Sequence, residues 1–144
     1  KSQTASFYDK KDDDGSSHAS LFEGVIEKSH KSESIKHSIL LTSIDEFIEE
    51  KGIDFIDFMK VDTEGNELNV FKGAQKTLEN KKIGIIQFEF GSLQIQSHTF
   101  LSEIKSQLND YKLYRLLPNA ILPLEDKILF YEVFAYQNIV AIRK

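Results

Sequence analysis

The stretch FMKVDTEGNE, Phe58 to Glu67, ends an apolar run abruptly in acids grouped around a glycine, and a helical pattern starts directly behind it. Open α/β sheets bind ligands in the crevice outside the carboxyl ends of their strands, so carboxylates released at such an end are candidates for chemistry. Immediately upstream, FIDFMKV (Phe55 to Val61) is apolar and β-rich enough for an inner strand. Downstream, Leu68, Phe71, Ala74 and Leu78 recur at helical spacing and predict a helix over 68–80. Gly73 lies inside that helix at a cost of about 1 kcal/mol relative to alanine, which close packing of the helix on the sheet would explain.

The same alternation continues outward. Ile83 to Phe90, IGIIQFEF, is the most continuous apolar run, as expected of a strand buried on both faces at the centre of a parallel sheet. Phe100 or Leu101, Ile104, Leu108 and Tyr111 mark a second amphipathic helix, and KLYRLL (Lys112 to Leu117) a third main strand. Two strand–helix–strand units in succession give parallel strands with right-handed crossovers, hence an α/β fold. After Pro118 and Asn119 no helix follows; a β-rich run from 128 to 143, with Gln137 and Asn138 as a bulge, predicts a final antiparallel strand made by a hairpin. Towards the N-terminus, Ile39 to Leu41 reads as a brief strand. Ser43 with Glu46 has the form of a capping box, and Gly52 ends the helix Ile44 to Lys51 that follows. Residues 1–38 hold nine serines and the cluster Asp12 to Gly15, with one short strand at Thr4 to Tyr8. The expected division is a loop-rich segment over 1–38 and the α/β body over 39–144, in a single domain.

Composition narrows the function classes. Eighteen basic against 23 acidic residues in a chain of 144 give a net charge of −5, without a basic stripe, so no nucleic-acid partner is expected. No apolar run approaches the roughly 20 residues that cross a bilayer, so no membrane partner is expected either. The absence of cysteine fits a reducing compartment, and the cytoplasm is the expected location.

The segment IDFMKVDTEGNELNVFKGA (Ile56 to Ala74), followed in order by IIQFEF and QNIVAIRK, closely resembles the FkbM family of S-adenosylmethionine-dependent methyltransferases. The resemblance runs from GSSHASL at Gly15 to the C-terminus. It implies a Rossmann-like class I methyltransferase sheet, mostly parallel, whose last strand inserts antiparallel beside its neighbours. It also implies S-adenosylmethionine as methyl donor and O-methylation of a small-molecule or saccharide acceptor. A donor site of this class needs a glycine-rich turn after the first strand. The seven glycines, at 15, 24, 52, 65, 73, 84 and 91, contain no G-x-G pair. The chain is therefore expected to be the C-terminal part of such an enzyme, with the first strands and most of the donor site upstream. An exposed sheet edge would follow, inviting pairing with another chain, so a homo-oligomer is a candidate state.

Asp62, Glu64 and Glu67 would all suit a helix start, where negative charge is favoured, but that explains no acid at the tip of an apolar strand. In the resembled family this segment faces the meeting point of donor and acceptor. The resemblance thus implies Asp62 as general base or substrate anchor, with Glu64 assisting, and Glu67 as a substrate contact. Glu89, inside IIQFEF, is either a strand-end residue facing the site or half of a structural ion pair; with Gln87 it would border the acceptor pocket. In GSSHASL, Ser17 and His18 are candidates for the cofactor, and His18 also for the substrate, against the alternative of a solvated serine-rich linker. His98 reads as a cap of the next helix, and Tyr114, Arg115 and the aromatic tail as packing. D-x-E-G-N-E lacks the spacing of a calcium loop, so no metal is expected. The alternatives are a non-catalytic binding module without a donor site, and a nucleotide-dependent enzyme in which Asp62 holds a ribose.

Overall fold

A computed structural model of the chain describes residues 3–11, 19–21, 23, 24, 27, 31, 33–124, 127 and 131–144. The N-terminal part forms a two-stranded antiparallel ribbon, β1 (Gln3–Lys10) with β2 (Ser34–Leu41). Both strands are longer than the sequence pattern indicates, because ladder bonds between backbones recruit residues such as Ser34 to Ser38 that carry no apolar alternation. Helix α1 (Ile44–Lys51) follows as expected: Ser43 Oγ accepts from the Glu46 amide at 3.1 Å, and Gly52 closes the helix in the left-handed region at φ 62°.

The main sheet contains β3 (Ile56–Val61), β4 (Ile83–Phe90), β5 (Tyr111–Leu117), β6 (Ala120–Pro123) and β7 (Gln137–Arg143), in the spatial order β3-β4-β7-β5-β6. The expectation of a mostly parallel sheet is corrected here. β3, β4 and β5 do share one direction, as the two crossovers require, but β7 enters antiparallel between β4 and β5. Among the described residues only the β3–β4 ladder of this sheet is then parallel. Nor does the final strand arise from a hairpin with its neighbour. The hairpin is β5–β6, turning at Pro118 and Asn119, and β7 lies on the other flank of β5. Gln137 and Asn138 are no bulge; they pair in regular register with Phe90 and Glu89. β3, read as an inner strand, is an edge among the described residues, with Phe58 53% exposed. An apolar run shows that a strand can be covered on both sides, not what covers it.

The helix expected over 68–80 is two pieces, α2 (Glu67–Lys72) and α3 (Gln75–Glu79). Asp45 of α1 causes the break. Its backbone amide donates to the Gly73 carbonyl at 3.0 Å, while its carboxylate accepts from the amides of Lys76 at 3.0 Å and Thr77 at 2.9 Å, replacing the bonds of a continuous helix. A Cβ on Gly73 would lie 3.4 Å from the Ser43 Cβ, so the close partner of this glycine is the start of α1, not the sheet.

A single helical turn, α4 (Leu93–Gln96), and helix α5 (Leu101–Gln107) link β4 to β5. α5 is capped from a distance: the Glu132 carboxylate accepts from the amides of Leu101 at 2.9 Å and Ser102 at 2.7 Å. The core lies between the helices and the sheet around Phe71, Ile86, Phe88, Leu101, Ile104 and Ile139, with Phe71 and Phe88 edge to face at 5.4 Å. Among the described residues no helix is long and apolar enough to cross a membrane.

Candidate functional site

Asp62 follows the last residue of β3, and the parallel neighbour β4 ends beside it at Phe90, so both strands release their next residues on the same rim. Two pockets meet there, and Asp62 and Glu64 line both. The larger, about 830 Å³, is bounded by the ribbon (Phe7, Ile39, Leu41) and by the start of α1 and α2 (Ile44, Val70). The smaller, about 360 Å³, lies between the 62–67 loop and the segment 89–94, with Tyr136 at its edge. Volumes of this order are those of small-molecule sites.

The Asp62 side chain is 37% exposed and accepts a charge-assisted bond from Lys60 Nζ at 2.6 Å. That carboxylate, and behind it the charge of Glu89, raises the Lys60 pKa above its ordinary value. Beyond Asp62 the chain turns through two consecutive left-handed residues, Glu64 at φ 51° and Gly65 at φ 99°. Glycine takes this conformation freely, whereas at Glu64 it costs of order 1 kcal/mol and persists because the surroundings fix it. One of those surroundings is Ser20, whose Oγ donates to the Glu64 carbonyl at 3.4 Å.

Glu67, expected to contact substrate, is fully buried (0% exposed). Its Oε1 accepts from the Thr63 amide at 3.0 Å, Thr63 Oγ1 at 3.1 Å and the Gly65 amide at 3.3 Å, and its Oε2 from Gln94 Nε2 at 2.7 Å. The carboxylate thus faces inward, onto its own loop. Glu89 borders the smaller pocket and accepts from the Tyr136 hydroxyl at 2.7 Å, which, ahead of the Asn138 bond that opposes it, pushes the Tyr136 pKa up. Gln87 donates to Asn138 Oδ1 at 3.0 Å, and Asn138 Nδ2 to the Tyr136 hydroxyl at 3.3 Å, so a chain of polar contacts joins β4 to β7 at the rim.

The structure therefore brings Asp62, Glu64, Glu67 and Glu89 to one rim. Ser17 and His18 lie outside the described residues; the end of the same segment, Ala19 to Leu21, reaches the site, since Ser20 bridges Tyr8 and Ala19 and Leu21 line the larger pocket. His98 does not start α5; it follows α4 in the left-handed region at φ 52°. Reading the sequence missed Gln94 and Tyr136. Tyr136 belongs to the aromatic tail that the sequence assigns to packing, yet it is 72% exposed at the pocket edge, where a Cβ on Gly91 would come within 3.1 Å of its Cα. Gly91 before SLQ is the one signal that two backbones pass closely there. Among the described residues no three His, Cys, Asp or Glu side chains converge on a point that could hold a metal ion.

Compared with known families, residues 1–115 match the family described as "Methyltransferase FkbM domain". No curated protein matches the chain. No solved structure matches it either.

Proposed function

Because the chain belongs to the FkbM methyltransferase domain family, we propose that it forms part of an S-adenosylmethionine-dependent O-methyltransferase site, with a donor-facing and an acceptor-facing pocket, in which Asp62 is the general base. The observation that carries the reading is the position of Asp62 on the wall shared by two ligand-sized pockets. Transfer of a methyl group between two bound molecules needs them on either side of one point, with a proton acceptor there.

The residues present suit the donor. The larger pocket pairs an apolar wall, Phe7, Ile39 and Leu41, able to take a planar base, with the acids Asp62 and Glu64 on its lining, whose charge would favour a cation there. S-adenosylmethionine, when bound, supplies an electrophilic methyl group on a positive sulfonium. Asp62 then orients an acceptor hydroxyl and takes its proton, while Lys60 holds the carboxylate in place. Glu89, with Tyr136 bonded to it, lines the acceptor side, where a small molecule or a sugar hydroxyl would enter.

Calorimetry with S-adenosylmethionine on the longest chain that contains this domain tests the donor. Asp62→Asn is expected to lower methyl transfer by about 10²–10⁴-fold, as for loss of a general base, while donor binding weakens by about tenfold through loss of one of the two acids on its wall. Binding without any transfer favours a binding module instead, whereas Asp62→Asn at full activity removes Asp62 as the general base.

A further inference from the structure

We infer that Glu67 and Gln94 form a positioning latch: a buried pair, matched donor to acceptor, that holds the carboxylates of Asp62 and Glu64 on the wall between the two pockets. The latch is read from geometry alone, and its catalytic consequence rests on the reading under Proposed function.

Glu67 is 0% and Gln94 2% exposed, and both line the smaller pocket from its floor with their polar atoms bonded to protein partners. A buried carboxylate is tolerated only with its oxygens satisfied, and here four donors converge on it. Three come from Thr63 and Gly65, which flank Glu64 in its left-handed conformation. The fourth comes from Gln94, whose own Oε1 accepts from the Gly91 amide at 2.6 Å, on the opposite wall of the smaller pocket. One chain of bonds, from Thr63 through Glu67 and Gln94 to Gly91, therefore spans that pocket along its floor. The two walls also touch directly, since a Cβ on Gly65 would stand 3.4 Å from the Leu93 carbonyl oxygen.

The pattern dictates how substitutions behave. In Glu67→Gln, an amide nitrogen meets either the Gln94 nitrogen or the three loop donors, and turning Gln94 over only moves the clash to the Gly91 amide. In Gln94→Glu, two carboxylates face each other at the 2.7 Å contact and must share a proton. The exchange Glu67→Gln with Gln94→Glu restores every match. Gln at 67 keeps its oxygen on the loop donors and gives its nitrogen to Glu at 94, whose second oxygen accepts from Gly91. Total charge is unchanged.

The test measures amide hydrogen exchange at Thr63, Gly65 and Gly91 by NMR, and S-adenosylmethionine affinity by calorimetry, in the wild type, both single variants and the exchange variant, at a temperature where circular dichroism shows them folded. Each single variant is expected to speed exchange at these amides by about tenfold or more and to weaken donor binding by about tenfold; the exchange variant returns both to within about threefold of wild type. A purely structural pair would leave donor affinity unchanged in folded single variants, and that result overturns positioning. Single variants that do not fold leave the exchange variant to decide: its folding and binding support the latch, its failure to fold sinks it. Wild type that binds no S-adenosylmethionine would defeat the methyltransferase reading, whereas the amide data judge the latch separately.

Discussion

Tyr111 carries a phenol that the fold keeps protonated. It is buried, its hydroxyl donates to the Ile83 carbonyl at 2.7 Å, and burial raises its pKa above the usual 10.0, with the nearby Arg143 opposing. A group whose folded pKa is raised contributes stability that is fully present below the unfolded value and is lost as pH climbs through the folded one. Stability should therefore fall above about pH 10. Tyr136 adds to the same trend, more weakly because solvent screens it. Tyr111→Phe should flatten the alkaline limb in urea titrations, and at neutral pH should cost about 1–3 kcal/mol because the Ile83 carbonyl loses its partner. At this scale the acids were legible only in part. Asp62 stood out because no helix-start preference explains an acid at the tip of an apolar strand, and the structure puts it between two pockets. Glu67, five residues on, looked equivalent in sequence, but the direction of a side chain depends on the loop's left-handed turn, which one glycine in a string of acids does not reveal. Gln94 was silent, since its partner Glu67 is distant in the chain.

Among the elements, the short helices depend on carboxylates sent from elsewhere. α3 takes its first-turn acceptor from Asp45 of α1, including the Thr77 hydroxyl at 2.6 Å, and α5 takes its own from Glu132. Helices this short are unstable alone, so such caps weigh more than in long ones. Asp45→Ala should lower stability by about 1–2 kcal/mol and Asp45→Asn by less, seen as a shifted denaturation midpoint at constant slope. Local signals such as Ser43, Glu46 and Gly52 were readable because cap and capped lie within one turn. The division into α2 and α3 was not, because Asp45 acts across the interface between helices and leaves no trace in the periodicity of residues 68–80.

Across the whole molecule, stability concentrates in the layer between sheet and helices. Phe88→Ala, at a 1% exposed position against Phe71, should cost about 3–5 kcal/mol, enough to unfold much of a marginally stable domain, while Phe58→Ala at the open edge should cost less than about 1 kcal/mol; thermal melts of both variants compare them. The α/β class and the shared direction of β3, β4 and β5 followed from alternating periods, but the strand order did not. Nothing in the run QNIVAIR says that it will part β4 from β5.

That insertion bears on how the protein is made. A ribosome releases β7 after every other described strand, yet β7 is what joins β3 and β4 to the β5–β6 hairpin. Until it emerges, the two halves have no common ladder and their facing edges stay open. The sheet can close only after the segment Gln137–Arg143 has emerged, and a nascent chain stalled before Gln137 should remain a client of chaperones rather than a folded domain.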